Sequence, residues 1–296
     1  MCEITEVINI FSKKENCIIG ICDASPLPQT AMGFTPFVSR NMLKRTDPAK
    51  SLPGVKSIIV IGVENKFKTF PPMPDDAGIL SVLGVTDDYH VTARALLNKL
   101  VTELKQLTSF THKILVDSSA LDERAIAVRA GLGFIGRSGL LISSAYGSRL
   151  NIGLLLTDIP LNNANPQYTG DTALCSSAQQ NLSCAPNCHK CISSCPNGAL
   201  SNTGKLTTAR CISYLTQKED LTSDEAKLIG RHLYGCDICQ NVCPFNSPQP
   251  TAWANPKDWL AMSNEDFSNT YGHTAMLWRG ADLLRRNAKI VIENLT

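Results

Sequence analysis

Cysteine is the residue type with the clearest chemical pattern in this chain. The sequence contains 12 cysteines, and eight of them lie between positions 184 and 243. Two segments of this region, Cys188–Pro196 and Cys236–Pro244, read C-x2-C-x3-C-P. This spacing is typical of bacterial [4Fe–4S] sites, in which the cysteine before the proline binds the other cluster. Each loop offers three thiolates to one cubane, so the fourth ligand must come from elsewhere.

Eight thiolates are enough for two complete [4Fe–4S] sites. We expect one cluster to be bound by Cys184, Cys188, Cys191 and Cys243. We expect the other to be bound by Cys195, Cys211, Cys236 and Cys239. Three residues separate Cys184 from Cys188 where the pattern has two, so Cys184 is the ligand that departs from it. Structural zinc is the alternative, but zinc sites usually use two C-x2-C pairs for each ion. The repeated motif therefore favours iron–sulfur clusters.

His189 and the cysteines outside the two motifs have simpler interpretations. His189 lies between two predicted ligands, and we interpret it as a solvent-facing loop residue. Four cysteines lie outside the pattern: Cys2, Cys17, Cys22 and Cys175. Cys17 and Cys22 flank a short apolar run, which is typical of buried, unreactive thiols.

Composition limits what kind of protein holds these cysteines. With 296 residues, 43% hydrophobic and 18% charged, the chain is long enough for about two globular domains. The net charge of +2, from 28 basic and 26 acidic residues, excludes nucleic-acid binding by bulk charge but not a local basic patch. We see no apolar run of the ~20 residues that a membrane span needs, and no secretory leader. We therefore expect a cytoplasmic protein whose cysteines stay reduced.

The elements that must position these residues follow from hydrophobic patterning. Residues 1–160 are predicted to form an α/β domain, followed by a linker over 161–183. Residues 184–246 are predicted to form a ferredoxin-like domain with two [4Fe–4S] clusters, and 247–296 to form helices. The fold class is therefore α+β or α/β. Predicted strands are Ile18–Cys22, Val55–Val63, His112–Val116, Leu140–Ser143 and Leu150–Thr157. Predicted helices are Glu3–Lys14, Asp87 or Asp88 to Leu107, Leu121–Ala130 and Ala275–Glu293.

Two features of the α/β domain suggest further chemistry. Asp117 follows a predicted strand, and in open α/β sheets that position faces the ligand crevice; a helix N-cap is the alternative. Gly131, Gly133 and Gly136 have the spacing of a dinucleotide fingerprint, but they follow a helix instead of a strand. We therefore reject a Rossmann site. Glu123 and Arg124 are either an exposed helical pair or support for Asp117.

Several segments together resemble the epoxyqueuosine reductase family, in the family's order along almost the whole chain. They are Arg45–Ile59, Val116–Arg124, Ala130–Ser138, Tyr146–Ser148, Leu156–Asp158, Arg210–Thr216 and Tyr234–Asn246. The resemblance implies an oxidoreductase with two [4Fe–4S] clusters and cobalamin. Members of the family reduce epoxyqueuosine to queuosine at the wobble position of tRNA. The N-terminal domain would bind cobalamin and be related to reductive dehalogenases.

The resemblance also implies roles for individual residues. Asp117 matches the family's proposed proton donor. The glycines Gly131, Gly133 and Gly136 would let the backbone approach the flat macrocycle, and Arg137 and Ser138 would contact its side groups or phosphate. A helix stop and a turn are the alternative for this segment.

Partners are implied in the same way. We expect tRNA as the substrate, a ferredoxin or flavodoxin as the electron donor, and a monomer. Longer members continue into a helical-repeat domain that helps to hold tRNA, so this chain reads as a short form. Positive charges on the last helix and near residue 45 are either solvated or in contact with phosphate: Arg279, Arg285, Arg286, Lys289, Lys44 and Arg45. Two other functions stay open, a corrinoid reductase with another substrate and an iron–sulfur electron-transfer protein.

Overall fold

The chain divides into two compact units in a computed structural model that describes residues 2–28, 41–65, 69–161, 183–202, 205–247 and 249–296. The first unit consists of Met1–Glu64 and His90–Pro186, and the second of Asn65–Tyr89 and Asn187–Thr296. These units cut across the predicted ranges. Residues 65–89, which fall within the predicted N-terminal domain, belong to the second unit. The cysteine-rich segment forms one unit with the C-terminal helices. Most of the predicted linker over 161–183 lies outside the described residues.

The structure describes nine strands. They are β1 (Ile18–Asp23), β2 (Ser57–Glu64), β3 (Gly78–Leu80), β4 (His112–Leu115), β5 (Phe134–Ile135), β6 (Leu141–Ile142), β7 (Leu150–Thr157), β8 (His232–Tyr234) and β9 (Ala252–Ala254). The described α-helices are α1 (Cys2–Lys14), α2 (Met42–Thr46), α3 (Tyr89–Lys105), α4 (Glu123–Arg129), α5 (Lys190–Ser193), α6 (Ile212–Leu215), α7 (Ser223–Leu228), α8 (Ile238–Asn241), α9 (Pro256–Ala261), α10 (Asn264–Tyr271) and α11 (Ala281–Leu295).

The first unit is built on a four-stranded sheet in the order β1-β2-β7-β4, and each neighbouring pair is antiparallel. The central strands β2 and β7 are almost wholly apolar, as expected for strands buried on both faces. On one face, Ile58 and Val60 belong to the same core as Ile126 and Ala127 of α4. On the other face, Ile61 lies beside Leu97 of α3. Mixed helix and sheet content is confirmed, and the antiparallel pairing makes this unit α+β.

Helix α3 shows where the predicted helical pattern needs correction. Its buried residues are Ala93, Leu97, Leu100, Val101 and Leu104. These positions recur at the three- and four-residue spacing of one helix face. The hydrophobic pattern predicts an apolar stripe of Val91, Ala95, Leu97, Leu100, Val101 and Leu104. Val91 is 67% exposed, however, and Ala95 is exposed as well. The predicted stripe is therefore correct from Leu97 onwards.

The second unit has a three-stranded sheet in the order β8-β3-β9. Strand β3 pairs in parallel with β8 and antiparallel with β9, although the sequence did not predict a strand at 78–80. Trp259 and Phe267 are fully buried in this unit's core, with ring centroids 5.6 Å apart in an edge-on contact. The predicted helix Ala275–Glu293 is interrupted, because Gly280 adopts φ +82 between a 3-10 turn and α11. No helix among the described residues has the length and apolar character needed to cross a bilayer.

Candidate iron–sulfur centre and active site

The two cysteine motifs fold into loops of the same local structure within the second unit. The short helix α5 lies between Cys188 and Cys195, and α8 lies between Cys236 and Cys243. In both loops the backbone N–H of the last cysteine donates to the carbonyl three residues earlier, at 3.3 Å for Cys195 and 3.2 Å for Cys243. Helices α5 and α8 contact each other. The sequence repeat is therefore a structural repeat, with the two loops side by side.

Four of the predicted ligands interact closely with one another. The pKa of Cys236 is raised to about 12, mainly by burial, and the neighbouring Cys211 and Cys195 contribute to this rise. Burial also raises the pKa of Cys239, and Cys236 and Cys211 add to this effect. Such mutual effects need short distances between thiolates. Cys195, Cys211, Cys236 and Cys239 therefore lie near one another. Cys191, which belongs to the other predicted set, also raises the pKa of Cys239, so the division of the ligands into two sets stays a prediction.

Cys184 is the predicted ligand whose spacing departs from the motif. Cys184 belongs to the first unit, whereas Cys188, Cys191 and Cys243 belong to the second. The backbone N–H of Arg137 donates to Cys184 Sγ at 3.4 Å. A hydrogen bond of this kind is typical of thiolates that bind iron–sulfur clusters. The ligand set itself stays a prediction.

The chemistry of the donors fits two cubanes. All eight cysteines are free and partly accessible. No group of three His, Cys, Asp or Glu side chains within the described ranges could hold a single metal ion. A cubane does not require such a group, because its four ligands bind four different irons. His189, which we interpreted as a loop residue, places Nδ1 3.2 Å from the carbonyl oxygen of Asn187.

A buried polar network holds the second loop. The backbone N–H of Gly235 donates to Thr216 Oγ1 at 2.9 Å. The fully buried Asn287 donates from Nδ2 to the carbonyl oxygens of Thr216 and Leu233, both at 2.8 Å. Asp237 Oδ2 accepts from the backbone N–H of Val82 at 2.6 Å. These residues lie beside Cys236 or support it, and sequence reasoning missed all of them because their partners are distant in the chain.

Asp117 lies where β4 ends, as predicted. Its side chain is 61% exposed, and its Oδ2 lies 4.0 Å from His90 Nε2. Its backbone has φ +43, one of two positive values among the described non-glycine residues. The left-handed conformation costs most residues about 1–3 kcal/mol, so surrounding contacts must hold it. The alternative role of a helix cap falls to Asp122, whose Oδ1 accepts from the backbone N–H of Ala125 at 3.1 Å.

Glu123 is the side chain that touches the Asp117 backbone. Its Oε2 accepts a hydrogen bond from the Asp117 N–H at 3.2 Å. The pKa of Glu123 is raised to about 8, mainly by burial and also by the negative charges of Asp117 and Asp122, against the hydrogen bond from Asp117, which lowers it. Of the two interpretations left open for Glu123, support for Asp117 agrees with the structure. Arg124 instead donates to the carbonyl oxygen of Gly139 at 2.7 Å.

The predicted cobalamin-contacting segment forms a hairpin. Strands β5 and β6 pair antiparallel, and Ser138 lies in the turn between them. Gly131 has φ +80 just after α4, so it ends that helix. A Cβ on Gly133 would overlap the carbonyl oxygen of Ile142, and one on Gly136 would overlap the Ile142 side chain. Gly133 is thus required by close approach to a backbone carbonyl, whereas the Ile142 side chain beside Gly136 is flexible. Contact of these glycines with cobalamin stays a prediction.

Most of the positive charges considered for tRNA binding are engaged within their own unit. Arg279 pairs with Glu219 at 2.7 Å. Arg286 donates to the carbonyl oxygens of Lys218 and Glu219, both at 2.6 Å. Arg45 is buried, with Nη2 3.9 Å from Asp122 Oδ2, so it is neither solvated nor available to phosphate. Arg285 pairs with Asp282, whereas Lys289 and Lys44 are exposed.

The cysteines outside the motifs also have defined surroundings. Cys17 and Cys22 are buried, and burial raises the pKa of each thiol to about 12. The predicted burial is confirmed. A raised pKa leaves little of the reactive thiolate, so we still expect both thiols to be unreactive. Cys175 lies outside the described residues, and so does the side chain of Cys2.

Comparison with protein families finds two matches. The family model for the 4Fe-4S double cluster binding domain matches residues 183–246, a range that includes all eight predicted ligands. The model described as epoxyqueuosine reductase QueG, DUF1730, matches residues 45–118, which end just after Asp117. The second range contains Asp117, whereas the predicted cobalamin-contacting residues 131–138 lie outside both ranges.

Curated relatives and solved structures extend these matches over the whole chain. The epoxyqueuosine reductase of Staphylococcus aureus is 34% identical over 86% of this chain and 68% of its own length. That of Lactococcus garvieae is 34% identical over 92% and 78%. A crystal structure of epoxyqueuosine reductase with a tRNA-Tyr epoxyqueuosine-modified tRNA stem loop has a TM-score of 0.83 at 30% identity, over 98% of this chain and 80% of that one. A Bacillus subtilis structure, described with its catalytic aspartate loop swung out of the active site, has a TM-score of 0.81 at 30% identity, over 98% and 81%. With the cysteine loops and the Asp117 segment in the same chain, these likenesses show that the chain belongs to the epoxyqueuosine reductase family.

Proposed function

We propose that this chain reduces epoxyqueuosine to queuosine at the wobble position of tRNA. One observation carries the proposal: the fold matches, over 98% of the chain, a reductase crystallised with an epoxyqueuosine-modified tRNA stem loop. In this reaction the epoxide takes up two electrons and two protons, loses its oxygen as water and becomes an alkene. The protein must therefore deliver electrons one site after another and place a proton at the departing oxygen.

The clusters would supply the electrons. Binding of two [4Fe–4S] clusters is supported by the eight free cysteines and by the close association of Cys195, Cys211, Cys236 and Cys239. Hydrogen bonds to the ligand sulfurs tune cluster potentials. Such bonds include those from Arg137 N–H to Cys184, at 3.4 Å, and from Ala199 N–H to Cys195, at 3.3 Å. A ferredoxin or flavodoxin is the proposed external donor, and the cytoplasm the proposed compartment.

Cobalamin, when bound, would supply a strongly reducing metal centre for the epoxide. The segment that suits cobalamin is the β5–β6 hairpin of the first unit. The apolar Ile135, directly before Gly136, is 46% exposed there. An exposed apolar side chain on a rigid hairpin suits a flat, largely apolar macrocycle. Arg137 and Ser138 follow on the same turn and are the proposed polar contacts.

Asp117 is the proposed acid. Its exposed carboxyl group can reach a bound substrate, while its backbone is held by Glu123 and its side chain lies near His90. The acid would hold a proton on a carboxyl oxygen and give it to the oxygen that leaves the epoxide. A positioned acid of this kind typically contributes about 10²–10⁴ in rate.

The test is conversion of epoxyqueuosine-containing tRNA by anaerobically prepared protein with a chemical reductant, followed by nucleoside analysis. Appearance of queuosine supports the proposal. Bound cobalamin and intact clusters without any queuosine would indicate a corrinoid reductase with another substrate. Intact clusters that never retain cobalamin would indicate an electron-transfer protein. Sedimentation of the same sample tests the proposed monomer.

A further inference from the structure

The loop after β4 is held by hydrogen bonds to side chains of its own residues and of α4. The N–H of Val116 donates to Ser118 Oγ at 3.4 Å, and the N–H of Leu121 donates to Ser119 Oγ at 3.2 Å. The N–H of Asp117 donates to Glu123 Oε2 at 3.2 Å. Of these three bonds, only the last joins the loop to a helix. It acts at the residue with the left-handed backbone.

Helix α4 is itself firmly placed. Asp122 caps it and is buried beside Arg45, and its N–H donates to the Arg45 carbonyl oxygen at 3.1 Å. Ile126 and Ala127 are fully buried in the core of the first unit. Glu123, as the first residue of α4, therefore projects from a fixed base. A bond from a fixed helix to Asp117 can transmit that rigidity to the loop.

The two carboxyl oxygens of Glu123 differ in their hydrogen bonding. Its Oε1 is buried and has no hydrogen-bond partner, whereas Oε2 accepts from Asp117. The groups that face this carboxyl are Asp117 and Asp122, and both are acidic. Arg45 Nη2 lies 3.9 Å from Asp122 Oδ2, and His90 Nε2 lies 4.0 Å from Asp117 Oδ2. Burying a polar atom without a partner costs stability. This costly arrangement lies at the proposed acid.

We propose that Glu123 is a positioning residue, whose side-chain oxygen holds the Asp117 backbone in the left-handed conformation that aims the acid at the substrate. The proposal rests on the proposed role of Asp117. Glu123 does not touch the reacting atoms. It acts through the single hydrogen bond from the Asp117 N–H, so any side chain that can accept this bond should serve.

Two substitutions separate the acceptor from the shape of the side chain. Glu123→Gln keeps a carbonyl oxygen at the same reach, whereas Glu123→Met keeps the length and removes the acceptor. Glu6→Met, on the exposed side of α1 in the same unit, is the matched control. Hydrogen exchange followed by mass spectrometry on the holoenzyme reports the Asp117 amide directly. Single turnover with prereduced enzyme reports the chemical step.

We expect Glu123→Met to speed exchange of the Asp117 amide by at least about tenfold and to slow single turnover about 10- to 100-fold, the range for a lost buried hydrogen bond. Affinity for tRNA should not change. Glu123→Gln should restore most of both losses, and Glu6→Met should show neither. Unchanged exchange in Glu123→Met, or a Gln variant as impaired as Met, would overturn the proposal.

A double-mutant cycle separates this proposal from the proposed function. If Glu123 acts through Asp117, Glu123→Met should add no further loss to Asp117→Asn. Additive losses would overturn it. If the wild type fails to convert epoxyqueuosine, the proposed function falls while the exchange experiment still decides whether Glu123 holds the loop. Should Glu123→Met fold poorly, Glu123→Leu measured for exchange at the Asp117 amide decides the same point.

Discussion

The carboxylate of Asp237 accepts a hydrogen bond from the backbone N–H of Val82 at 2.6 Å. Asp237 follows Cys236 directly, and Val82 begins a 3-10 turn just after β3. The cluster loop is therefore tied to a segment that lies 155 positions earlier in the chain. A charge-assisted bond of this type contributes about 1.5–3 kcal/mol.

Replacement of Asp237 should affect both stability and redox potential. Asp237→Ala removes the acceptor, so we expect the free energy of unfolding to fall by about 1.5–3 kcal/mol. Asp237→Asn keeps an acceptor but removes a negative charge near the cluster, so the cluster potential should become more positive. Thermal unfolding and a redox titration followed by EPR measure the two effects. Asp224→Asn, an exposed position on α7, is the control; an equal shift in potential there would contradict a local effect.

Asp117→Asn tests the proposed acid. The substitution keeps shape and polarity but removes the carboxyl group that would donate the proton, so single turnover should slow by about 10²–10⁴. Iron content, cobalamin binding and tRNA affinity should remain. Since Asp122 is the cap of α4, the loss cannot be assigned to a broken cap. Asp258→Asn, on the exposed side of α9, should turn over at the wild-type rate; a wild-type rate for Asp117→Asn would make Asp117 structural.

Metal content tests the ligand sets. Anaerobically purified protein should contain about eight irons and eight sulfides per chain. Cys195→Ser should damage both clusters, because the proposed sets place Cys195 on one loop and its cluster on the other. Cys17→Ser, at a buried thiol outside the motifs, should keep the full iron content. Stoichiometric zinc, or four irons in the wild type, would refute the assignment.

Stability should depend on pH through Glu123. The pKa of Glu123 is raised from 4.5 to about 8 in the folded protein. Between these values the folded state keeps a proton that the unfolded state has released, so the free energy of unfolding falls as pH rises. Glu123→Gln removes this effect, and its advantage over the wild type should grow from about pH 4.5 and level off near pH 8. Thermal midpoints across this range measure it, with Glu6→Gln as the control; a constant difference would show that Glu123 does not titrate there.

Much of the fold could be predicted because long apolar runs act locally. Strands β2 and β7 are such runs, and both were predicted to within a few residues. Strand β3 has only three residues, and it is a strand because β8 and β9 pair with it from far along the chain. The break at Gly280 is likewise a backbone property that the apolar pattern of α11 conceals.

Some parts of the candidate site could likewise be predicted from the sequence, and others could not. Cysteine spacing is a property of the sequence, so the two loops could be predicted in advance. The need for glycine at position 133 could not be predicted, because it depends on the approach of Ile142 across the β5–β6 hairpin. Asp117 was placed correctly at the end of β4, but the sequence could not show which of Asp117 and Asp122 caps α4. That choice depends on where the helix begins.

The origin of β3 has a consequence for biosynthesis. Ala77, at the entrance to this strand, must wait for Arg231, its partner 154 positions later. At about 5–20 residues per second, a ribosome needs roughly 8 to 30 s to supply that partner. During this interval residues 78–80 have been synthesised without the partners that make them a strand, while much of the first unit is being completed. The second sheet therefore cannot begin to form until β8 has been synthesised, so the first unit has a head start in folding.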